Sequence, residues 1–257
     1  MKRLLKIVAL VVVVLLVAVV GVIAVTFMGR QSITDGFEIN GIRIVKDGIV
    51  SIAVVPVGPG QVALVDAGND GAGKAILAEL SRRQVGPDGV IAILITHGHQ
   101  DHTAGIKLFP KARVMALERE VSAIEGAEGF HGPVTRLMPA RPTGVKVTWP
   151  VGDGETVMVG DTPVRVFAVP GHTAGSAAYL VNGVLFLGDA ADASDAGEIK
   201  GSPWIFTDSQ DQDRASLVQL ADVLQKEHAD VKALAFAHSG VRTEGLTPLV
   251  TYAAHID

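Results

Sequence analysis

The chain has 257 residues, no cysteine and a formal charge of −5 at pH 7. Without cysteine it has no disulfide framework and no thiolate metal ligand. Nucleic-acid backbones want clustered positive charge; four of the basic residues, Lys2, Arg3, Lys6 and Arg30, sit in the first thirty positions, so no nucleic-acid partner is expected of the rest.

Those thirty residues, MKRLLKIVALVVVVLLVAVVGVIAVTFMGR, stand apart. Residues 7–28 carry no charge, and a helix of about 20 residues crosses a bilayer core. A soluble buried helix would keep a polar stripe, and this run has none. A secretory signal peptide usually has an apolar region of ~7–15 residues followed by an A-x-A-like site. Here the run is longer and no such triplet follows Ala18. Residues 1–30 therefore read as an uncleaved membrane anchor, with a signal peptide as the alternative. The basic excess precedes the span. The N-terminus should stay cytoplasmic, with residues 31–257 periplasmic or extracellular as one domain on a single-pass inner-membrane protein.

In chain order, "GRQSITDG" (29–36) reads as a polar linker. Strands are expected at "FEINGIRIV" (37–45), "SIAVVPV" (51–57) and "QVALVDAG" (61–68). "GKAILAELSRRQ" (73–84) has Ala75, Leu77 and Leu80 at helical spacing. "VIAILIT" (90–96) is apolar throughout, as in a strand covered on both faces. A short helix is expected near Asp101 and a strand at "ARVMAL" (112–117), followed by an irregular, Gly- and Pro-containing stretch over 118–143. The second half repeats the scheme. Strands fall at 145–149, 155–160, 163–169, 176–181 and 184–188. A helix over 210–227 sets Leu217, Leu220 and Leu224 on one face, and a last strand, "ALAFA" (233–237), ends at His238. Strand-rich halves with helices predict an α/β fold of two sheets packed together and covered by helices.

Three of the eight histidines fall within "ITHGHQDHTAG" (95–105). Alternate side chains of an extended chain point the same way, so His97 and His99 project together. Asp101 and His102 follow where the chain turns into a helix. Zinc accepts imidazole nitrogen and carboxylate oxygen at about 2.0–2.2 Å. One ion does not accommodate all these groups and further ligands; two adjacent ions do. Asp101 alone would pass for a helix N-cap, and a lone strand-end histidine for a polar residue facing solvent. Their convergence decides for a metal site. His172, Asp189 and His238 likewise follow apolar runs, in "VRVFAVPGHTAGS", "VLFLGDA" and "ALAFAHSG".

Taken together, HxHxDH at 97–102, PGHTAGS around His172, LGDA around Asp189, AHSG at His238 and LVDAG at 64–68 resemble the metallo-β-lactamase-fold hydrolases, with a glyoxalase II-like ligand set. The resemblance implies a four-layered αβ/βα sandwich of two mixed sheets with the metals between the sheet edges. It assigns His97, His99 and His172 to one ion and Asp101, His102 and His238 to the other, with Asp189 bridging both. It places Asp66 behind the ligands, where the competing reading is a turn residue. The implied cofactor is two Zn2+, which lower the pKa of bound water to about 7 and so yield hydroxide. The implied reaction is hydrolysis of a small-molecule ester, thioester, lactone or amide, with Asp101 orienting the nucleophile. The alternative within the fold is an oxidoreductase resembling persulfide dioxygenases, with one Fe2+.

Departures from the pattern narrow the substrate little. Asp189 and the missing cysteine depart from the β-lactamase classes. Only 19 residues follow His238 and 48 separate it from Asp189, leaving no room for a glyoxalase II substrate domain or a nucleic-acid-processing cap. "AADAS" after Asp189 lacks the tyrosine of the quorum-quenching lactonases. "GNDGAGKA" (68–75) imitates a phosphate-binding loop, but Ala75 stands where a hydroxyl should meet Mg2+. His131 in the 118–143 stretch, and Trp204 and Phe206 in "GEIKGSPWIFTDSQ" (197–210), are candidate substrate contacts; the competing readings are a solvated loop residue and packing under the loop. His228 and His255 read as surface.

Overall fold

An apolar run with no polar face has nothing to bury one side against, and α1 (Lys2–Phe27) stands exposed beside the rest of the molecule. In the computed structural model, which describes residues 2–256, Leu5–Phe27 is long and apolar enough to cross a membrane, a property that signal sequences share. Beyond it, β1 (Glu38–Ile39) and β2 (Ile42–Asp47) form a hairpin. Asn40 and Gly41 turn it at positive φ, which splits the run expected at 37–45. β3 (Val50–Gly58) and β4 (Gln61–Val65) continue antiparallel. α2 (Lys74–Arg82) then crosses to β5 (Val90–Leu94). α3 (Gln100–Thr103), β6 (Arg113–Leu117), α4 (Val121–Glu125) and β7 (Trp149–Val151) follow. The strands from β4 to β7 pair in parallel, and the seven strands lie in sequence order.

The second sheet begins with β8 (Thr156–Val159), β9 (Thr162–Ala168), β10 (Ala177–Val181) and β11 (Val184–Phe186), all antiparallel. A separate hairpin follows, β12 (Ala191–Ala193) with β13 (Ile199–Gly201). α5 (Gln210–Lys226) leads back to β14 (Ala233–Ala235), which joins β11 in parallel. α6 (Thr247–Ala254) packs on α5. Ser209 caps α5 by accepting the Gln212 N–H, 3.3 Å.

Three apolar layers hold this together. Ile44, Val55, Leu94, Val166, Tyr179 and Phe186 pack between the sheets. Ile76 and Leu80 of α2, four apart on one helix face, cover the first sheet. Leu217, Leu220 and Leu224 of α5 cover the second. The result is the expected αβ/βα sandwich. The strand expected at 145–149 starts only at Trp149. Thr148 still pairs with Val114, through N–H to carbonyl and through its Oγ1. Val147 instead donates its N–H to Glu125 Oε1, and Val145 and Val147 dive under the outer layer. The imitation phosphate loop is already filled: Asp47 Oδ2 accepts the N–H groups of Asn69 and Asp70 at 2.7 and 2.8 Å.

α2 is also tied down by charge. Glu79 is 5% exposed and receives Arg82 at 2.7 Å, Arg83 at 2.6 Å and Arg43 of β2 at 3.1 Å. Burial works to raise its carboxyl, but Arg82 and Arg83 outweigh it and hold the group below its ordinary range. A depressed folded-state pKa stabilises above the unfolded value, about 4.3, and that stability is lost as pH falls through the folded value. Glu79→Gln should therefore lower the urea midpoint at pH 7, and the gap to the unsubstituted protein should close as the pH falls below about 4.

Candidate metal centre

The ends of four strands meet at one edge of the sandwich. β5 leads into Thr96–His99, and α3 carries Asp101 and His102. The β9–β10 turn supplies His172, the end of β11 supplies Asp189, and the end of β14 supplies His238. Two glycines permit this convergence. Gly171 lies at φ 142°, and a Cβ there would stand 2.2 Å from the Asp213 nitrogen. Gly188 lies at φ 54°, with its Cβ position 2.7 Å from Thr96. Any larger residue would push the His172 or Asp189 loop outward.

Hydrogen bonds behind the histidines set their tautomers. Thr96 Oγ1 spends its proton on Asp66 Oδ2, 2.8 Å, so the Thr96 oxygen accepts from His97 Nδ1 at 3.2 Å. Thr207 Oγ1 donates to the Pro203 carbonyl and accepts from His172 Nδ1 at 3.1 Å. His102 Nδ1 donates to Asp66 Oδ2 at 2.9 Å, and His238 Nδ1 donates to the Ile49 carbonyl at 2.9 Å. All four rings therefore turn Nε2 inward, and in the neutral His97 and His172 that nitrogen carries no proton. Such outer partners orient metal ligands.

The inward atoms fall into overlapping sets. His97 Nε2, His99 Nδ1 and His172 Nε2 stand 3.0, 3.0 and 3.2 Å apart. Ligands on a tetrahedral ion with bonds of about 2.0–2.1 Å stand about 3.3 Å apart. Asp101 Oδ2 lies 3.3 Å from His238 Nε2 and 3.8 Å from His102 Nε2. Asp189 touches both sets: Oδ2 is 3.5 Å from His172 and 3.2 Å from His238, and Oδ1 is 3.4 Å from His102. In each of three groups, His97–His99–His172, His97–His102–Asp189 and Asp101–His102–His238, the donor atoms lie within 4.8 Å of one another. His102 Nε2 and Asp189 Oδ1 are buried without a hydrogen-bond partner, as atoms reserved for a cation would be. The donor groups fit a metal centre.

Charge follows the same division. Burial pushes His97 well below its usual range, His99 down to about 3 and His172 down to about 4, so this trio stays neutral. Burial opposes charge on the other group too, but there the ions hold one another. His238 is pushed up to about 10 and His102 well above its usual value, chiefly by Asp189. Burial would raise Asp189 and Asp101. Their histidine neighbours instead hold Asp189 well below the carboxylate range and Asp101 at about 2.

Asp66 lies behind the cluster, against His102. It sits at φ 61°, held there by three bonds, from the Thr96 N–H, the Thr96 hydroxyl and His102. His131 remains on an exposed loop, its backbone N–H tied to Asp208. Trp204 is exposed, and Phe206 half-buried. Sequence reasoning passed over Glu120. Its Oε1 accepts the Gly98 N–H and its Oε2 the Gly175 N–H, both at 2.8 Å. One buried carboxylate thus clamps the 97–102 loop to the 170–176 loop, and burial lifts it to about 7. The available signal was position: Glu120 follows the apolar run of β6, where strand ends elsewhere in this chain deliver chemistry. Phe130 also went unread. Its ring packs edge-on to His99, 4.3 Å between centroids.

Comparisons with known proteins agree with this fold and identify its family. A hydroxyacylglutathione hydrolase of Shewanella sp. (strain ANA-3) is 37% identical over 113 residues, 43% of this chain and 39% of that protein. One of Halorhodospira halophila is 35% identical over 155 residues, 57% and 51% of the two chains. The chain thus spans about half or less of the length of these relatives. The crystal structure of a subclass B3 metallo-beta-lactamase of Bradyrhizobium japonicum superposes with a TM-score of 0.62 at 23% identity, covering 88% of this chain and 92% of that one. A metallo-beta-lactamase family protein from Thermus thermophilus gives 0.59 at 25% identity, covering 84% and 79%. The family model described as the metallo-beta-lactamase superfamily matches residues 45–238, from β2 to the last histidine of the cluster, and the chain belongs to that superfamily.

Proposed function

We propose that the chain is a metal-dependent hydrolase of an ester, thioester, lactone or amide, carried on the outer side of the membrane by α1. One observation carries the reading: Asp189 reaches His172 on one side and His102 and His238 on the other, and four histidines are locked to present Nε2 inward. His97, His99 and His172 would hold one ion, Asp101, His102 and His238 the other, and Asp189 both; zinc suits this nitrogen and oxygen set. When bound, such ions supply a water reactive near neutral pH and polarise a carbonyl. Relatives named for hydrolysing hydroxyacylglutathione support an acyl substrate.

The protein's own groups divide the remaining work. Asp189 is 5% exposed and Asp101 26%, so Asp101 is the carboxylate that meets incoming water. The Asp101 carboxylate oxygen not turned towards His238 orients that water and takes its proton, then passes it to the leaving group. Asp66 and Glu120 touch no substrate. They keep His102 and the two ligand loops in place.

Full-length protein should contain two zinc ions per chain by elemental analysis. Exhaustive chelation should abolish hydrolysis, and added zinc should restore it. A single iron with oxygen uptake would instead identify an oxygenase. Asp101→Ala should lower turnover by about 10²–10⁴-fold, far more than His131→Ala; equal effects would remove Asp101 from its role. Glu120→Ala and Asp66→Ala should each weaken metal affinity by about 10–100-fold in competition with a chelating dye, and unchanged affinity would show that these carboxylates do not position the ligands.

A further inference from the structure

α1 does not end clear of the metal centre. Its last residue, Phe27, sets its ring edge-on 5.9 Å from the His238 imidazole and 6.2 Å from Phe206. Arg30 lies over the Phe27 ring, 4.2 Å from its centroid. The same guanidinium meets Asp192 at 2.7 Å, with both side chains buried. The backbone is stitched on both sides. Gln31 N–H donates to Ala193 at 2.8 Å, Asp195 N–H to Gly29 at 2.9 Å, and Gly240 N–H, two residues past His238, to Gln31 at 3.0 Å. A cut after Arg30 would strip a wall from the centre and leave Asp192 buried without its partner, a costly state for a charge.

The mouth around this wall is apolar. Phe27 and Phe206 flank it beside His238, and Phe130 flanks it beside His99. Outward from Phe206, Trp204 is 52%, Leu137 77% and Met138 63% exposed. Their two loops are joined by the Val134 N–H on the Ile205 carbonyl, 2.9 Å. Exposed apolar residues gathered like this mark an interaction surface, and tryptophan favours the membrane–water interface. This surface continues from the end of a bilayer-length helix, which says what covers it.

We propose that the centre takes a membrane-resident acyl ester, with the acyl chain lying along Phe27, Phe206 and Phe130 while Trp204, Leu137 and Met138 rest on the bilayer that α1 crosses. The inference rests on the hydrolase reading and on α1 as a retained anchor. The reaction balances without a further reagent. Water oxygen bonds to the acyl carbon, the ester C–O bond breaks, and one water proton ends on the departing alcohol.

The test uses the full chain, zinc-loaded, in phosphatidylcholine vesicles, with acetyl and dodecanoyl esters of one chromogenic alcohol. The dodecanoyl ester should be favoured in kcat/KM by at least about tenfold. Phe27→Ala should bring the ratio towards one, mainly through KM, and Phe27→Leu should restore most of it. Equal rates on both esters in the unsubstituted protein would overturn the acyl site alone; hydrolysis of neither would overturn the hydrolase reading with it. An independent reading uses Trp149→Phe, which leaves Trp204 as the remaining tryptophan. Its fluorescence should be quenched by lipids brominated on their chains. Full emission from vesicle-bound protein would overturn the bilayer contact, and faster hydrolysis of the dodecanoyl ester free in solution than in vesicles would overturn delivery from the membrane.

Discussion

Lone pairs face lone pairs at the edge of this sandwich. Three imidazole nitrogens stand 3.0–3.2 Å apart in a buried place, with two carboxylates pressed against the neighbouring rings. Burying such groups unpaired is costly, and stability in a protein is a small difference between large terms. A cation held there, as proposed, would satisfy the inward atoms, and a rigid frame holds the outward ones. Much of the molecule serves that frame. Tyr179, fully buried between the sheets, donates its hydroxyl to the Ile95 carbonyl and pins the strand end from which the first two histidines project. Asp66 accepts strained backbone to reach both Thr96 and His102.

What was legible in the sequence follows from the range of each interaction. The ligand candidates announced themselves because each sits at the end of an apolar run, and strand ends with small residues bring side chains to one edge. The sandwich was legible for the same reason: long apolar strands such as β3 and amphipathic helices such as α5 carry their periodicity in local sequence. Glu120 was legible only by its position after the β6 run. It acts on the N–H groups of Gly98 and Gly175, and backbone partners leave no residue-type signature. The hairpin of β12 and β13 has three residues in each strand, too few for a period to show. α6 buries only Leu249, so it has no apolar stripe. The run at 145–149 alternates like a strand, yet Val145 and Val147 spend that alternation on the outer layer rather than on the sheet.

The glycine-rich loop at 68–73 shows how one backbone device serves different charges. Exposed N–H groups at a turn before a helix attract an anion. Here the anion is internal, Asp47, reaching across from β2. A phosphate would have to displace that carboxylate and then sit beside Asp70, whose own oxygen accepts the Ala72 N–H. The loop therefore ties the entry of α2 to the end of β2, which is a structural task.

Phe27 carries two identities at once, as the last residue of the apolar helix and as a ring against His238. From the sequence it reads only as the first, because an apolar run hides any specific contact made by one of its members. Arg30 has the same double reading: it closes the hydrophobic segment by charge, and it is also the partner of Asp192 in the hairpin next to Asp189. Helix and sandwich therefore meet without a free linker, since residues 29–31 run beside the β12 hairpin and Gln31 is also bonded to Gly240. With α1 in a membrane, as proposed, a junction of this kind would fix the orientation of the metal-centre edge as well as its distance from the bilayer. Orientation is what separates an enzyme tethered near a bilayer from one whose mouth is held against it.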